Sequence, residues 1–96
     1  MKLRLLKPAE NEIDEAFEYY EEQLEGLGYK FIDEVLDGFK RIKANPKSWS
    51  PYSKNTRRCL LNVFPFGVIY LVDGDKIVVV AVTNLHRKPM YWKERI

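Results

Sequence analysis

The run Ile77-Val78-Val79-Val80-Ala81-Val82 constrains this chain more than any other feature: six consecutive side chains are apolar and five of them are β-branched. A strand turns successive side chains to opposite faces. Such a run therefore needs cover on both sides, either from both faces of the protein itself or from helices on one face and a partner on the other. It predicts a central strand over Lys76 to Thr83. The Asp73-Gly74-Asp75 step just before it is a tight-turn signal. Phe66 to Val72 is then its antiparallel neighbour, and Arg57 to Phe64, set off by Pro65, is a third strand in the same meander.

Upstream the hydrophobic period changes from two to three and four. Ala9, Ile13, Ala16, Phe17, Tyr20 and Leu24 recur at helical spacing, with Glu10, Glu12, Asp14, Glu15, Glu18, Glu21 and Glu22 on the other faces. That predicts an amphipathic helix from Pro8 with its acids outward; proline suits a helix start, and the early acids suit the positive end of the helix dipole. Gly26 and Gly28 allow a sharp reversal. Phe31, Ile32, Val35, Leu36, Phe39 and Ile42 then repeat the helical spacing, and the second helix ends in Lys40, Arg41, Lys43, Asn45 and Pro46. So short a connection makes the pair an antiparallel hairpin. Lys2 to Lys7 reads as a first strand that ends at Pro8. Lys47 to Thr56 has neither period and reads as a loop, pinned by Trp49 and Tyr52.

The expected fold is α+β, in one domain spanning 1–96: an N-terminal strand, a helical hairpin, and a three-stranded antiparallel meander with the helices on one face of the sheet. With 46% apolar residues the chain can bury a core and is not of the disordered class. The start, MKLRLLKPAE, is too short for a secretory apolar segment or a membrane span, so a cytoplasmic protein without membrane contact is expected. Cys59 stands alone, without the spacing of a disulfide or zinc site, and reads as a small buried residue. No glycine-rich phosphate loop or Ser/His/Asp arrangement occurs, and no cofactor is implied.

Charge is distributed unevenly. Residues 1–39 hold four basic and eleven acidic side chains, a balance of −7, while residues 40–96 hold twelve basic and three acidic, a balance of +9, together the net +2. Part of that split is simply the wet face of the first helix. The rest offers a basic surface to a polyanion or an acidic partner.

Several residues, taken together in this order and spacing, resemble RelE/ParE toxins. They are Pro8, Ala9, Tyr19-Tyr20, Gly28 with Phe31, Ile42 with Asn45-Pro46, Arg57-Arg58, Phe64-Pro65-Phe66, Ile69-Tyr70 and the ending Arg87-Lys88-Pro89-Met90-Tyr91-Trp92. The similarity spans nearly the whole chain. The tyrosine pair, the Phe-Pro-Phe step and the tail look more like the ParE branch. Where members of that branch carry a histidine three residues before the tail arginine, this chain has Asn84, with His86 displaced.

The resemblance implies the toxin of a type II toxin–antitoxin system, growth-inhibiting and plasmid-stabilising. It would inhibit DNA gyrase by protein–protein contact, be neutralised by a cognate antitoxin, and meet DNA only through that antitoxin. The alternative within the superfamily is a ribosome-dependent messenger-RNA endoribonuclease; a further one is a non-toxic remnant that only binds its antitoxin. Cutting RNA by its own 2′-hydroxyl needs a base, cations for the phosphate and an acid for the leaving oxygen. In the RelE-like pattern an arginine belongs at the place of Gly67, and another near Leu85. What remains for catalysis is Tyr91, Arg87, His86 and Arg58. The residues expected to contact a target or phosphate are Lys54, Arg57, Arg58, Arg87, Lys88, Tyr91, Trp92 and Arg95, with Lys93 in the same basic patch. Arg57 and Arg58 lie on opposite faces of one strand, so only one can face a shared groove. His86 reads equally as a surface hydrogen-bonding residue, and Tyr91 and Trp92 as aromatics that seal a core edge.

Overall fold

A computed structural model describes residues 1–96. In chain order its elements are β1 (Lys2–Leu5), α1 (Lys7–Gln23), α2 (Leu27–Ala44), β2 (Ser50–Pro51), β3 (Arg57–Leu60), β4 (Phe66–Asp73) and β5 (Lys76–Asn84), followed by one short helical turn at Lys93–Arg95. The strands form one sheet in the order β1-β5-β4-β3-β2. Two helices packed against this five-stranded sheet make the α+β fold that the hydrophobic periods predict.

Three details differ from the sequence expectation. The sheet is mixed, because β1 runs parallel to β5, with Leu3 opposite Ile77 and Leu5 opposite Val79. A strand followed by a helical hairpin and returning on the far side of the meander can arrive in that direction. The supposed loop contains a two-residue strand, Ser50–Pro51, antiparallel to β3. Proline is tolerated there because an edge strand needs no inward N–H from it. The third strand stops at Leu60: Leu61 N–H turns to the Phe66 carbonyl, and the N–H groups of Asn62 and Val63 are taken by the Glu34 carboxylate, at 3.0 Å each.

The helices end for local reasons. Pro8 occupies the opening turn of α1. Leu24, expected on the apolar face, lies beyond the helix in extended geometry and is exposed. Gly26, at φ +87°, makes the left-handed turn that glycine adopts without penalty. The orphan N–H groups at the start of α2 are met from the other helix, since the Glu21 carboxylate accepts from Gly26 and Gly28 at 3.0 Å. Gly28 is also where the helices touch: a Cβ there would fall 2.7 Å from the Phe17 carbonyl oxygen and 2.8 Å from its ring. At the far end Arg41 and Lys43 occupy the last turn and Pro46 follows. Neither helix is long and apolar enough to cross a membrane.

β5 lies between β1 and β4, as its composition demands, and each face has its own cover. On the helix face Ala9, Ala16, Phe31, Val35 and Ile42 pack on Cys59, Phe66, Val68, Tyr70, Val79 and Val82. On the opposite face the chain's own tail does the covering: Trp92, 2% exposed, lies with Ile69, Val80 and Ala81, bordered by Tyr52, Leu71 and Tyr91. No partner is needed for that part of β5. A register shift makes this possible, because Ile69 pairs with Ala81 and Tyr70 with Val79, leaving Val80 as an extra bulged residue. Trp49 and Tyr52 anchor the long connection as expected. The Trp49 indole donates to the Arg41 carbonyl at 3.4 Å, and Tyr52 lies under the Arg58 guanidinium at 4.5 Å.

Candidate functional site

The residue at the centre of the site is one the periodicity placed outward. Glu12, at 9% exposure, is buried in the second turn of α1, against the edge of β5. Pairing of β5 with β1 ends at Val79, whose carbonyl takes the N–H of Leu6. Beyond that point the β5 edge would be orphaned, a cost of about 1–3 kcal/mol per buried group. Side chains complete it instead. Glu12 Oε1 accepts the Val82 N–H at 3.0 Å, and Arg95 Nη1 donates to the Val80 carbonyl at 3.0 Å. Arg95 also binds both Glu12 oxygens, at 2.9 and 3.1 Å. The Tyr91 hydroxyl donates to Glu12 Oε2, and Arg87 Nη1 stands 3.6 Å from the same oxygen.

A signal for Glu12 was present in the sequence. It lies three residues after Ala9 and four before Ala16, both on the buried face, and three- and four-residue steps share a helix face. A carboxylate on such a face needs a cation. Its cation comes from Arg95, 83 residues away, and no local pattern points to that partner.

Tyr91 is held between two guanidiniums, with Arg87 at 3.7 Å and Arg95 at 5.1 Å from its ring. Burial pushes its phenol up, and the bond to Glu12 pushes it further, against the opposing pull of Arg87. The group is a protonated donor at neutral pH and has no free hydrogen to offer elsewhere.

The other expected residues divide clearly. Arg58, Arg87, Lys88 and Tyr91 do come together, with Tyr52 and Leu85, around a narrow cleft of about 30 Å³ on the sheet face away from the helices. Arg57 points to the other face and donates to the Trp49 carbonyl at 2.7 Å, so Arg58 is the one that shares the cleft. Arg95 is consumed by Glu12 and Val80. Trp92 is buried and offers no free ring face. His86 is exposed, holds a turn through its N–H to Asn84 Oδ1 at 2.8 Å, and lines neither this cleft nor the Glu12 cluster. Lys54 is exposed and stands apart, beside Lys93 and Trp92. Gly67 has a structural reason to lack a side chain: a Cβ there would meet Cγ and Cδ of Arg58 at 3.2 Å and Leu85 at 3.5 Å. The stem of Arg58 occupies the place where a central arginine would lie.

A wider groove of about 450 Å³ opens between α1 and the sheet. Ala16, Tyr20, Pro65, Phe66 and Val82 give it an apolar floor, while Glu12, Glu15 and Arg87 stand on its walls. Tyr19, 58% exposed, lies at its rim. The two concavities share Arg87, which thus faces both.

The profile of the family described as "ParE toxin of type II toxin-antitoxin system, parDE" matches residues 3–89. Among solved structures, one from P. aeruginosa described as "Chromosomal ParDE TA system" superposes with a TM-score of 0.79 at 19% sequence identity, covering 88% of this chain and 95% of that one. None of the curated proteins matches the chain at a significant level.

Proposed function

Because the chain belongs to the ParE toxin family of type II toxin–antitoxin systems, we propose that it acts in the cytoplasm by binding DNA gyrase through protein–protein contact and that a cognate antitoxin neutralises it. The observation that carries this reading is the commitment of the would-be catalytic groups to structure. The Tyr91 hydroxyl donates its hydrogen bond to Glu12, Arg95 is spent on the same carboxylate, and Gly67 supplies no cation of its own, its place being crossed by the stem of Arg58. A phosphate entering the cleft of about 30 Å³ would meet the cations Arg58, Arg87 and Lys88 but no histidine, no carboxylate and no uncommitted phenol in its lining. Binding remains as the chemistry such a surface supports.

The groove between α1 and the sheet suits the antitoxin. An unstructured segment that folds there would bury Tyr19 and the apolar floor, the usual way a disordered chain gains affinity. Operator DNA would then be read by the antitoxin, not by this chain. The gathering of Arg58, Arg87, Lys88 and Tyr91 favours one other reading, a ribosome-dependent endoribonuclease in which substrate releases Tyr91 from Glu12.

Supercoiling by purified bacterial gyrase, with and without the protein, separates these. Lost supercoiling with trapped double-strand breaks is the expected result, and it should persist in Tyr91→Phe. No effect at large excess, together with messenger-RNA cuts on ribosomes that vanish in Tyr91→Phe or Arg87→Ala, would reverse the assignment. Antitoxin binding without either effect would identify a non-toxic remnant.

A further inference from the structure

The tail and the β2–β3 connection enclose a second large groove, of about 590 Å³, on the sheet face away from the helices. Leu71, Met90 and Ile96 supply its apolar surface over the buried Trp92; Lys54 and Lys93 are its charged side chains, and no acidic side chain lines it. Neither lysine takes part in any of the chain's ion pairs. The groove is therefore a trough with two lysines outside any ion pair, unlike the α1 groove, where Glu12 and Glu15 stand with Arg87.

Met90 is the one non-glycine residue at positive φ, +66°. A long side chain in that region is held by its surroundings against its own preference, and such positions concentrate at binding and switch sites. Here the twist sets an exposed, flexible thioether against the groove, the kind of side chain that adapts to an apolar ligand.

We propose that this groove seats an acidic segment of the toxin's protein target, with a large apolar side chain between Leu71, Met90 and Ile96 and carboxylates on Lys54 and Lys93; it rests on the reading of the chain as a toxin that acts by protein contact. Nucleic acid fits less well. Its affinity for such a surface would come from phosphate contacts and base stacking, yet Trp92 is only 2% exposed and no arginine lines the groove. An acidic aromatic segment uses both the apolar surface and the charge.

The test uses fluorescent poly(Glu,Tyr), poly-Glu and a short oligothymidylate, each titrated into the whole chain at one salt concentration. The copolymer should bind more tightly than either of the others. Lys54→Glu with Lys93→Glu should weaken it by roughly tenfold or more, as reversal of close charge pairs does. The same charge change at Lys2 and Lys30 should leave binding unaltered. Met90→Gly, which relieves the positive φ, should weaken binding without lowering the melting temperature. Absence of copolymer binding, equal binding by the Lys54/Lys93 variant, or preference for the oligothymidylate would each overturn the proposal. Gyrase supercoiling on the same proteins keeps the two readings apart. Copolymer binding without gyrase inhibition sinks the gyrase target alone; full inhibition by the Lys54/Lys93 variant sinks the groove alone.

Discussion

Arg95 donates to both carboxylate oxygens of Glu12, at 2.9 and 3.1 Å, and so ties the helical turn at Lys93–Arg95 to the second turn of α1 across 83 residues of sequence. The pair stands where β1 leaves β5 and replaces the missing strand. It satisfies one N–H and one carbonyl of the β5 edge, and it fixes the tail that lays Trp92 over Ile69, Val80 and Ala81.

Glu12→Ala should therefore destabilise the protein more than a typical surface change. It leaves the Arg95 guanidinium, the Tyr91 hydroxyl and the Val82 N–H without their acceptor, and removing one partner of a buried pair costs about 3–5 kcal/mol. Arg95 keeps 19% exposure and can regain some water, so the lower end, about 3 kcal/mol, is expected from urea unfolding. Adding Arg95→Met should recover part of the loss, because no buried unpaired guanidinium then remains and Arg87, 53% exposed, keeps its water. A loss of less than about 1 kcal/mol in Glu12→Ala would show that the tail is held by Trp92 alone.

Gly28→Ala should separate the helical hairpin. The added methyl would stand 2.7 Å from a backbone oxygen of Phe17, which cannot rotate aside as a side chain does. Overpacking of this kind costs about 1–3 kcal/mol, and the helix propensity of alanine returns only about 1 kcal/mol. A net loss of about 1–2 kcal/mol in urea unfolding is expected, toward the upper part of the difference because the opposing atom is backbone. A gain in stability would mean that α1 and α2 slide apart freely.

Stability should fall in alkali. Burial pushes the Tyr70 phenol, which donates to the Pro46 carbonyl, from 10.0 up to about 12, and burial raises Tyr20 and Tyr91 as well. Each of these groups holds its proton more tightly folded than unfolded. Their contribution is thus intact below pH 10, is lost as the pH rises through 10 while the unfolded chain ionises, and for Tyr70 levels off near 12. For Tyr70 alone the loss is on the order of 2–3 kcal/mol. Burial also raises the Cys59 thiol from 9.0, which starts the decline slightly earlier. Urea midpoints between about pH 8.5 and about pH 11.5 should fall steadily, and the slope should be shallower in Tyr70→Phe. A flat profile would contradict the buried phenol.

The hydrophobic periods in the sequence were sufficient for the elements. Six apolar residues at Ile77 to Val82 could only be a covered central strand, steps of three and four from Ala9 to Tyr20 could only be a helix with one wet face, and Asp73-Gly74-Asp75 could only be a hairpin turn. These are contacts between near neighbours in the chain, and sequence spacing fixes them directly. Even the cover over β5 was half legible, since the tail aromatics read as sealing a core edge.

The site was decided by distant residues. Glu12 looked like one acid among seven on α1, and Arg95 like one cation in a basic tail. Only the fold brings them to the same unpaired edge of β5, where burial makes the pair obligatory and commits the Tyr91 hydroxyl and the Arg95 guanidinium to Glu12. Which arginine faces the cleft is likewise a tertiary matter: Arg57 turns to the Trp49 carbonyl, and the stem of Arg58 crosses Gly67. A single sequence records which charges exist. Their meaning depends on which of them lose water together, and that is a property of the assembled tertiary structure.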